Sequence, residues 1–380
     1  MKIAIEAQRL FRAKKHGMDI VVLELIKHLQ KIDFENEYFI LVKPDIDNKI
    51  LQETDNFHII EIPGGPYPIW EQYYLPRVLK KLAPDILHCT SNTAPIFSKV
   101  PLVLTLHDIL YMESIDFTKG TWYQRLGNLY RKLVVPQIIS NCRKIITVSY
   151  FEKEEIDKYF SLDVDRVEVI YNAQNDSFKP IAEKVELQYF REKFNLPPQF
   201  ILYLGNTHPN KNIYNVIEAI RLLNQECNTN TILVMPDVNR EFLNAVLRDI
   251  GHPELAEVIH LTGYIENKYL KYIYNLASVF LYPSYYESFG IPILEAMSCG
   301  TPVITSNTTG MAEVCDTAAI TVDPKNPDMI KAAIKQLLFN SQAHTDYREA
   351  GLRRASLFSW TQTAAKVLDL YQQVCVEKNA

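Results

Sequence analysis

The chain has 380 residues, an apolar content of 47% and a formal net charge of −5; that length predicts two or three domains rather than one core, and the acidic balance excludes nonspecific nucleic-acid binding as the main task. No apolar run approaches the roughly 20 residues of a membrane-spanning helix, and the opening Met1-Lys2-Ile3-Ala4-Ile5-Glu6 meets an acid too early for a signal peptide. The six cysteines form no Cys-x-x-Cys pair, which predicts a reduced, cytoplasmic protein without a zinc or disulfide framework.

In chain order, Lys2 to Ile5 reads as a first strand. A basic loop from Gln8 to Gly17 leads into a helix with Met18, Val22, Leu25 and Leu29 at helical spacing. The loop lacks Gly-x-Gly-x-x-Gly, so a dinucleotide site is not supported. Strands are predicted at 38–42, 57–62 and 85–88, and Gly64-Gly65-Pro66 breaks regular structure before a helix from about Glu71 to Leu82. Val103 to Leu106 is an apolar strand ending in His107-Asp108, a pair placed at the carboxyl end where parallel sheets bind ligands. An aromatic and basic segment follows from Tyr111 to Lys132. Ile145 to Ser149 is the next strand, and its serine is suited to cap the helix that starts near Phe151. Val167 to Asn172 closes the first domain, and residues 173–198, with Pro180 and Pro197-Pro198, read as the interdomain linker.

A second strand-loop-helix series begins with Phe200 to Gly205. The loop 206–212 joins that strand to a helix start, and Lys211 stands where an ammonium meets a diphosphate. Strands at 231–235 and 258–261 precede the most informative stretch, in which Val279 to Tyr282 feeds the turn Pro283-Ser284-Tyr285-Tyr286-Glu287-Ser288-Phe289-Gly290 and then a short helix. Pro292 lies near the start of that helix and Gly300 just past its end, the usual punctuation. Pro302 forces an extended restart at Val303 to Thr305. Glu287 and Glu295 can accept hydrogen bonds from the hydroxyls of a sugar or a ribose. Residues 307–313 form a second glycine-bearing loop expected beside the same site, and Trp360 to Val376 places Ala364, Val367, Leu368 and Tyr371 on one helical face.

Glu287, Ser288-Phe289-Gly290, Pro292, Glu295-Ala296 and Gly300-Thr301-Pro302 together resemble the signature of the retaining glycosyltransferases of family 4, in which two glutamates flank a Phe-Gly turn. The resemblance implies an α/β GT-B fold of two Rossmann-like domains facing each other across a cleft. It divides the chain into an acceptor-side domain over 1–172, a nucleotide-sugar domain over 173–360, and a terminal helix, 361–380, crossing back to the first domain. It implies catalytic roles for His107, beside the donor sugar, Lys211 and Glu287. Donor binding is implied for Gly17, Asn206, Tyr264, Ser288, Phe289, Gly290 and Glu295, with Tyr264 near the base and Glu295 on the ribose. Ser149 is a further residue of the cleft by the same resemblance. Trp70, Tyr73, Tyr74 and Arg77 offer an acceptor-facing or membrane-touching surface, though ordinary aromatic packing is the preferred reading. Relatives often carry arginine where this chain has Asn206 and glycine where it has Ala173.

The implied reaction moves a hexosyl group, with mannose favoured, from a UDP- or GDP-sugar to a hydroxyl of a saccharide or lipid-linked acceptor. No dense Asp-x-Asp or His-Glu-x-x-His cluster occurs, so no metal or other cofactor is expected beyond the nucleotide-sugar co-substrate. The expected location is the cytoplasm, with contact at the inner face of the membrane left open. A GT-B-like sugar-nucleotide epimerase or phosphorylase, and a non-catalytic nucleotide-sugar-binding partner subunit, remain as alternatives that fold likeness does not separate.

Overall fold

Strand runs such as Ile3-Ala4-Ile5 and Val279-Phe280-Leu281 are apolar without alternation, the pattern of parallel strands covered on both faces. Each is followed by a helix with one apolar face, so the chain builds βα units with a parallel sheet. A computed structural model describes residues 1–113, 122–163, 165–205 and 207–379. The chain divides into two compact units, Met1–Asn172 with Ser359–Ala380, and Ala173–Phe358.

The first unit holds seven strands: β1 (Lys2–Glu6), β2 (Glu37–Val42), β3 (Phe57–Glu61), β4 (Ile86–Cys89), β5 (Leu102–Thr105), β6 (Cys142–Thr147) and β7 (Val167–Val169). All pair in parallel, in the order β3-β2-β1-β4-β5-β6-β7. The second unit holds β8 (Ile201–Tyr203), β9 (Leu233–Pro236), β10 (Ile259–Gly263), β11 (Val279–Tyr282), β12 (Val303–Ser306) and β13 (Ile320–Val322). Its parallel order is β10-β9-β8-β11-β12-β13. Each sheet therefore reverses direction once, between β1 and β4 in the first unit and between β8 and β11 in the second. Those switch points are where doubly wound sheets open a crevice at their carboxyl edge.

The terminal helix, Trp360–Asn379, belongs to the first unit. It buries Ala364, Val367, Leu370, Tyr371 and Val374, so Leu370 takes the place expected for Leu368, which is only half-buried. Tyr371 lies with its hydroxyl 2.6 Å from His88 Nδ1, and His88 Nε2 is 2.7 Å from Thr105 Oγ1. Burial pushes the His88 imidazole down to about 3, so the ring is neutral, with one nitrogen donating and the other accepting. One buried side chain thus ties the last helix to β4 and β5.

Trp70 is fully buried and donates Nε1–H to the Ile62 carbonyl at 2.8 Å, the aromatic packing that is the preferred reading of its sequence; Tyr73 stays exposed, with the Arg77 guanidinium 3.2 Å from its ring centre. Two sequence expectations change. The helix expected from Glu71 starts earlier, as Tyr67–Ile69, and passes through a π turn at Trp70–Tyr74 before Leu75–Leu82. Residues 173–198 are not a free linker: they lie within the second unit, where the helix Lys184–Lys193 stacks Phe190 on Tyr272 with ring centres 3.6 Å apart. Ser149 caps the helix Tyr150–Phe160 by accepting the Glu152 N–H at 3.2 Å. Part of the segment Tyr111 to Lys132, and Asn206, lie outside the described residues.

Candidate active site

The loops after β8 and β11 flank the switch point of the second sheet. Pro209–Lys211 is a single 3-10 turn, begun by His208, whose Nδ1 accepts the Asn210 N–H at 3.2 Å. Asn212 then takes a left-handed backbone, φ 64°, which asparagine tolerates better than most residues. Its buried amide donates to the Pro283 and Pro324 carbonyls at 2.9 and 2.6 Å, and the Tyr285 N–H donates to the Asn210 carbonyl at 2.7 Å. Beneath this loop the Tyr203 hydroxyl, reaching up from β8, donates to the Lys211 carbonyl at 2.7 Å. Gly205 must be glycine here, because a Cβ would stand 2.0 Å from the Tyr203 ring. The backbone that presents Lys211 is therefore held from below and from the side.

Lys211 Nζ donates to Glu287 Oε1 at 2.6 Å and to the Tyr282 hydroxyl at 2.7 Å. Both side chains of the ion pair keep some contact with solvent, 18% and 21%, so an incoming ligand can reach them. Burial alone lowers a lysine; here the Tyr282 hydroxyl and the Glu287 carboxylate outweigh it and hold Lys211 above the usual lysine range. Lys211 therefore stays protonated, its charge balanced by Glu287 until an anion competes for it. Next to it the helix Ile291–Ser298 begins at Gly290, whose φ of 98° suits glycine, and it has no side-chain cap. The positive end of a short helix and an ammonium side by side favour an anion such as a phosphate.

Glu295 lies on that helix, its carboxylate accepting the Tyr274 hydroxyl at 2.9 Å. The residue is partly accessible, yet its carboxyl is desolvated enough to be pushed up to about 7, with the Tyr274 bond opposing the rise. Phe289 is buried and meets Phe358 edge-on with ring centres 6.0 Å apart. Its ring anchors the turn, and Ser288 beside it is half-buried. The loop after β12 closes in as well: the Gly310 N–H donates to the Glu287 carbonyl at 3.2 Å, and a Cβ at Gly310 would stand 2.1 Å from the Ser288 oxygen. Gly310→Ala is therefore expected to destabilise the protein by about 2 kcal/mol or more and to weaken ligand binding with it, by urea denaturation and titration; an unchanged unfolding midpoint would show that the Glu287 turn moves freely.

Lys211, Tyr282 and Glu287 meet in space, and Ser288, Phe289, Gly290 and Glu295 follow in the same loop and helix. Tyr264 follows β10 and is 55% exposed. Gly17 and His107 belong to the first unit. Gly17 opens the helix Gly17–Ile32, where a Cβ would meet nothing within 4 Å, so the unit itself does not require glycine there. His107 is buried after β5, with Nε2 3.0 Å from the Thr90 carbonyl; that partner makes Nε2 the protonated nitrogen and Nδ1 the acceptor. Burial lowers its pKa, the Thr90 bond and Asp108 acting against the fall. Sequence reasoning assigned no role to Tyr203, Asn212, Tyr274 or Tyr282. Only Tyr282 carried a local signal, as the last residue of the strand before the glutamate turn.

A parallel α/β unit with an ammonium, two carboxylates and an uncapped helix start at its switch point is built for a ligand bearing both phosphates and hydroxyls. Comparison with known proteins gives that class a family. The Glycosyltransferase Family 4 description matches residues 16–178 and the Glycosyl transferases group 1 description residues 185–354. O-antigen chain mannosyltransferase B of Escherichia coli is 33% identical over 272 residues, 71% of this chain and 70% of that one. The serotype-specific mannosyltransferase WbdA of Escherichia coli is 31% identical over 58% of this chain, which spans only 27% of that relative's length. Among solved structures, HepE of Anabaena in complex with UDP has a TM-score of 0.75 at 17% identity, covering 98% of this chain and 100% of that one. The chain belongs to the family 4 glycosyltransferases, has their GT-B fold and is a hexosyltransferase.

Proposed function

We propose that this chain transfers a mannosyl or closely related hexosyl group from a nucleoside-diphosphate sugar to a hydroxyl of a saccharide or lipid-linked acceptor, with retention of anomeric configuration and without a metal. The observation that carries the reading is the Lys211 ammonium held between Glu287 and Tyr282 at the switch point, beside an uncapped helix. In the reaction, the bond from the anomeric carbon to the diphosphate oxygen breaks and a bond to the acceptor oxygen forms on the same face. The acceptor proton ends on the departing phosphate. Negative charge grows on the diphosphate during that step, and a preorganised ammonium beside the positive end of a helix stabilises it there. Glu287, when the diphosphate draws Lys211 away, has a carboxylate oxygen free for sugar hydroxyls. Glu295 accepts a ribose hydroxyl. The mannosyltransferase relatives favour mannose, and the UDP bound by HepE supports a nucleotide donor without fixing the base.

The test is a calorimetric titration with GDP, UDP, GDP-mannose and UDP-glucose in the presence of EDTA. Binding of one nucleotide series with chelator present is the expected outcome. Absence of binding by all four, or binding that appears only when a divalent ion is restored, would overturn the donor reading or its metal independence respectively. Turnover of the sugar nucleotide with no acceptor would point instead to an epimerase.

A further inference from the structure

The helix Asn267–Leu276 packs against the helix Ile291–Ser298 that carries Glu295. Near the end of the first of these, Tyr274 is 0% exposed, and its ring meets Phe178 and Phe280 edge-on with ring centres 5.9 and 5.2 Å apart. A phenylalanine would fill that space equally well, so packing accounts for the ring and not for the hydroxyl. The hydroxyl has one partner among the described residues, Glu295 Oε2 at 2.9 Å. Burial and the Glu295 charge hold the phenol well above its usual range, so it donates and the carboxylate accepts.

The main chain of Tyr274 is clamped as well. Thr301 is 3% exposed; its hydroxyl donates to the Tyr274 carbonyl at 2.6 Å, and its N–H donates to the Ala296 carbonyl at 3.0 Å. Ala296 is the residue after Glu295, so the bonds close a circuit. It runs from the Glu295 carboxylate to the Tyr274 hydroxyl, from the Tyr274 carbonyl to Thr301, and from Thr301 back to the helix of Glu295. Phenol and carboxylate are thereby fixed to each other through both side chain and backbone. Glu295 accepts no other hydrogen bond among the described residues, and it is half-buried rather than enclosed. With Oε2 engaged from the protein side, Oε1 is the oxygen left for a ligand. Ordering a glutamate on binding costs rotamer freedom, and a bond that orders it beforehand removes part of that cost.

We propose that Tyr274 is a positioning residue for the nucleotide-sugar donor: its hydroxyl holds the Glu295 carboxylate so that Oε1 is presented to the ribose diol. Tyr274 acts through Glu295 and touches no ligand itself. The same bond opposes the rise that burial imposes on Glu295, so its loss favours the protonated acid, a poorer acceptor. Both effects act on the grip of a hydroxyl, and neither reaches the phosphates. The inference rests on Glu295 accepting a ribose hydroxyl, as proposed above.

The experiment titrates the full chain by calorimetry with GDP, UDP and the counterpart of each that lacks both ribose hydroxyls. Wild type, Tyr274→Phe, Thr301→Val and Glu295→Gln are compared, and thermal melting checks each variant. The readout is the affinity of the ribonucleotide relative to its dideoxy counterpart. A general loosening of the fold leaves that ratio unchanged, because both ligands carry the same base and phosphates. The wild type is expected to prefer the ribonucleotide, and Tyr274→Phe to lower the preference roughly fivefold while dideoxynucleotide affinity holds. Thr301→Val, which removes the clamp and keeps the side-chain shape, should lower it in the same direction by less. If Glu295→Gln lowers the preference and Tyr274→Phe leaves it as in the wild type, Tyr274 only packs, and the inference is refuted while the ribose reading stands. If Glu295→Gln leaves the preference unchanged, or the wild type shows no preference or no binding, the ribose reading itself fails and takes the inference with it. Should Tyr274→Phe not fold, Thr301→Val decides, an unchanged preference there refuting the inference.

Discussion

Lys211→Ala is expected to weaken nucleotide-sugar binding by roughly 10- to 150-fold, the range for losing a charge-assisted hydrogen bond of about 1.5–3 kcal/mol. Transfer should fall further than binding, because the charge on the diphosphate grows as the sugar departs. Lys211 also holds Glu287 in the free protein, at 2.6 Å, so alanine removes two things at once. A double-mutant cycle separates them. Lys211→Met and Glu287→Gln, alone and together, should show a coupling energy in the free protein of about 1 kcal/mol, small because both groups touch solvent. The coupling in the donor complex should be smaller still, since the diphosphate has replaced Glu287 as the partner of the ammonium. Donor affinity that ignores Lys211 would remove the observation on which the proposed function stands.

Glu295→Gln is expected to act in opposite directions on stability and on binding. In the folded protein this carboxyl is pushed up to about 7 by burial, well above an ordinary glutamate. Between the unfolded and folded values the folded state holds more protons, so stability falls as pH rises through that window and stays lower above it. Glutamine has no charge to desolvate and can still accept the Tyr274 hydroxyl bond. The variant should therefore exceed the wild type by about 1–3 kcal/mol at pH 8 and match it near pH 4. Glu6 carries a rise of the same sign, so the diagnostic quantity is the difference between wild type and variant, followed by chemical denaturation across pH 4 to 8. Nucleotide affinity should drop meanwhile, because an amide is a weaker acceptor for a ribose hydroxyl than a carboxylate. A stability difference that does not change with pH would mean that Glu295 is as well solvated as any surface glutamate. The pattern is that of a charge retained for binding at the expense of the free fold.

Much of the architecture could be read from the chain alone because its signals are local. Parallel strands covered on both faces are short apolar runs, and Val279-Phe280-Leu281-Tyr282 coincides with β11 as expected. Glycine and proline mark helix ends through backbone preferences that need no tertiary partner: Gly300 does adopt φ 76° past the helix Ile291–Ser298. The strand-loop-helix order, and the glutamate-framed turn within it, pointed to the family before any coordinates. Aromatic packing is the preferred reading of Trp70, and the fold adds its partner, the Ile62 carbonyl.

Tertiary structure alone decided which distant groups meet. Nothing in the residues around Lys211 says that β8 lies against β11, yet that adjacency brings Lys211 to Glu287 across 76 positions of sequence. The same holds for Tyr274 beneath Glu295 and for His88 clasping Tyr371 across 283 positions. Propensity and pattern act over a few residues, whereas a side chain's hydrogen-bond partner and its desolvation depend on which strands become neighbours. The sequence by itself determined the elements, the family and the residues of the glutamate turn; strand order decided the partners that raise the pKa of Lys211 and the burial that raises that of Glu295, and it buried Glu6 at the end of β1.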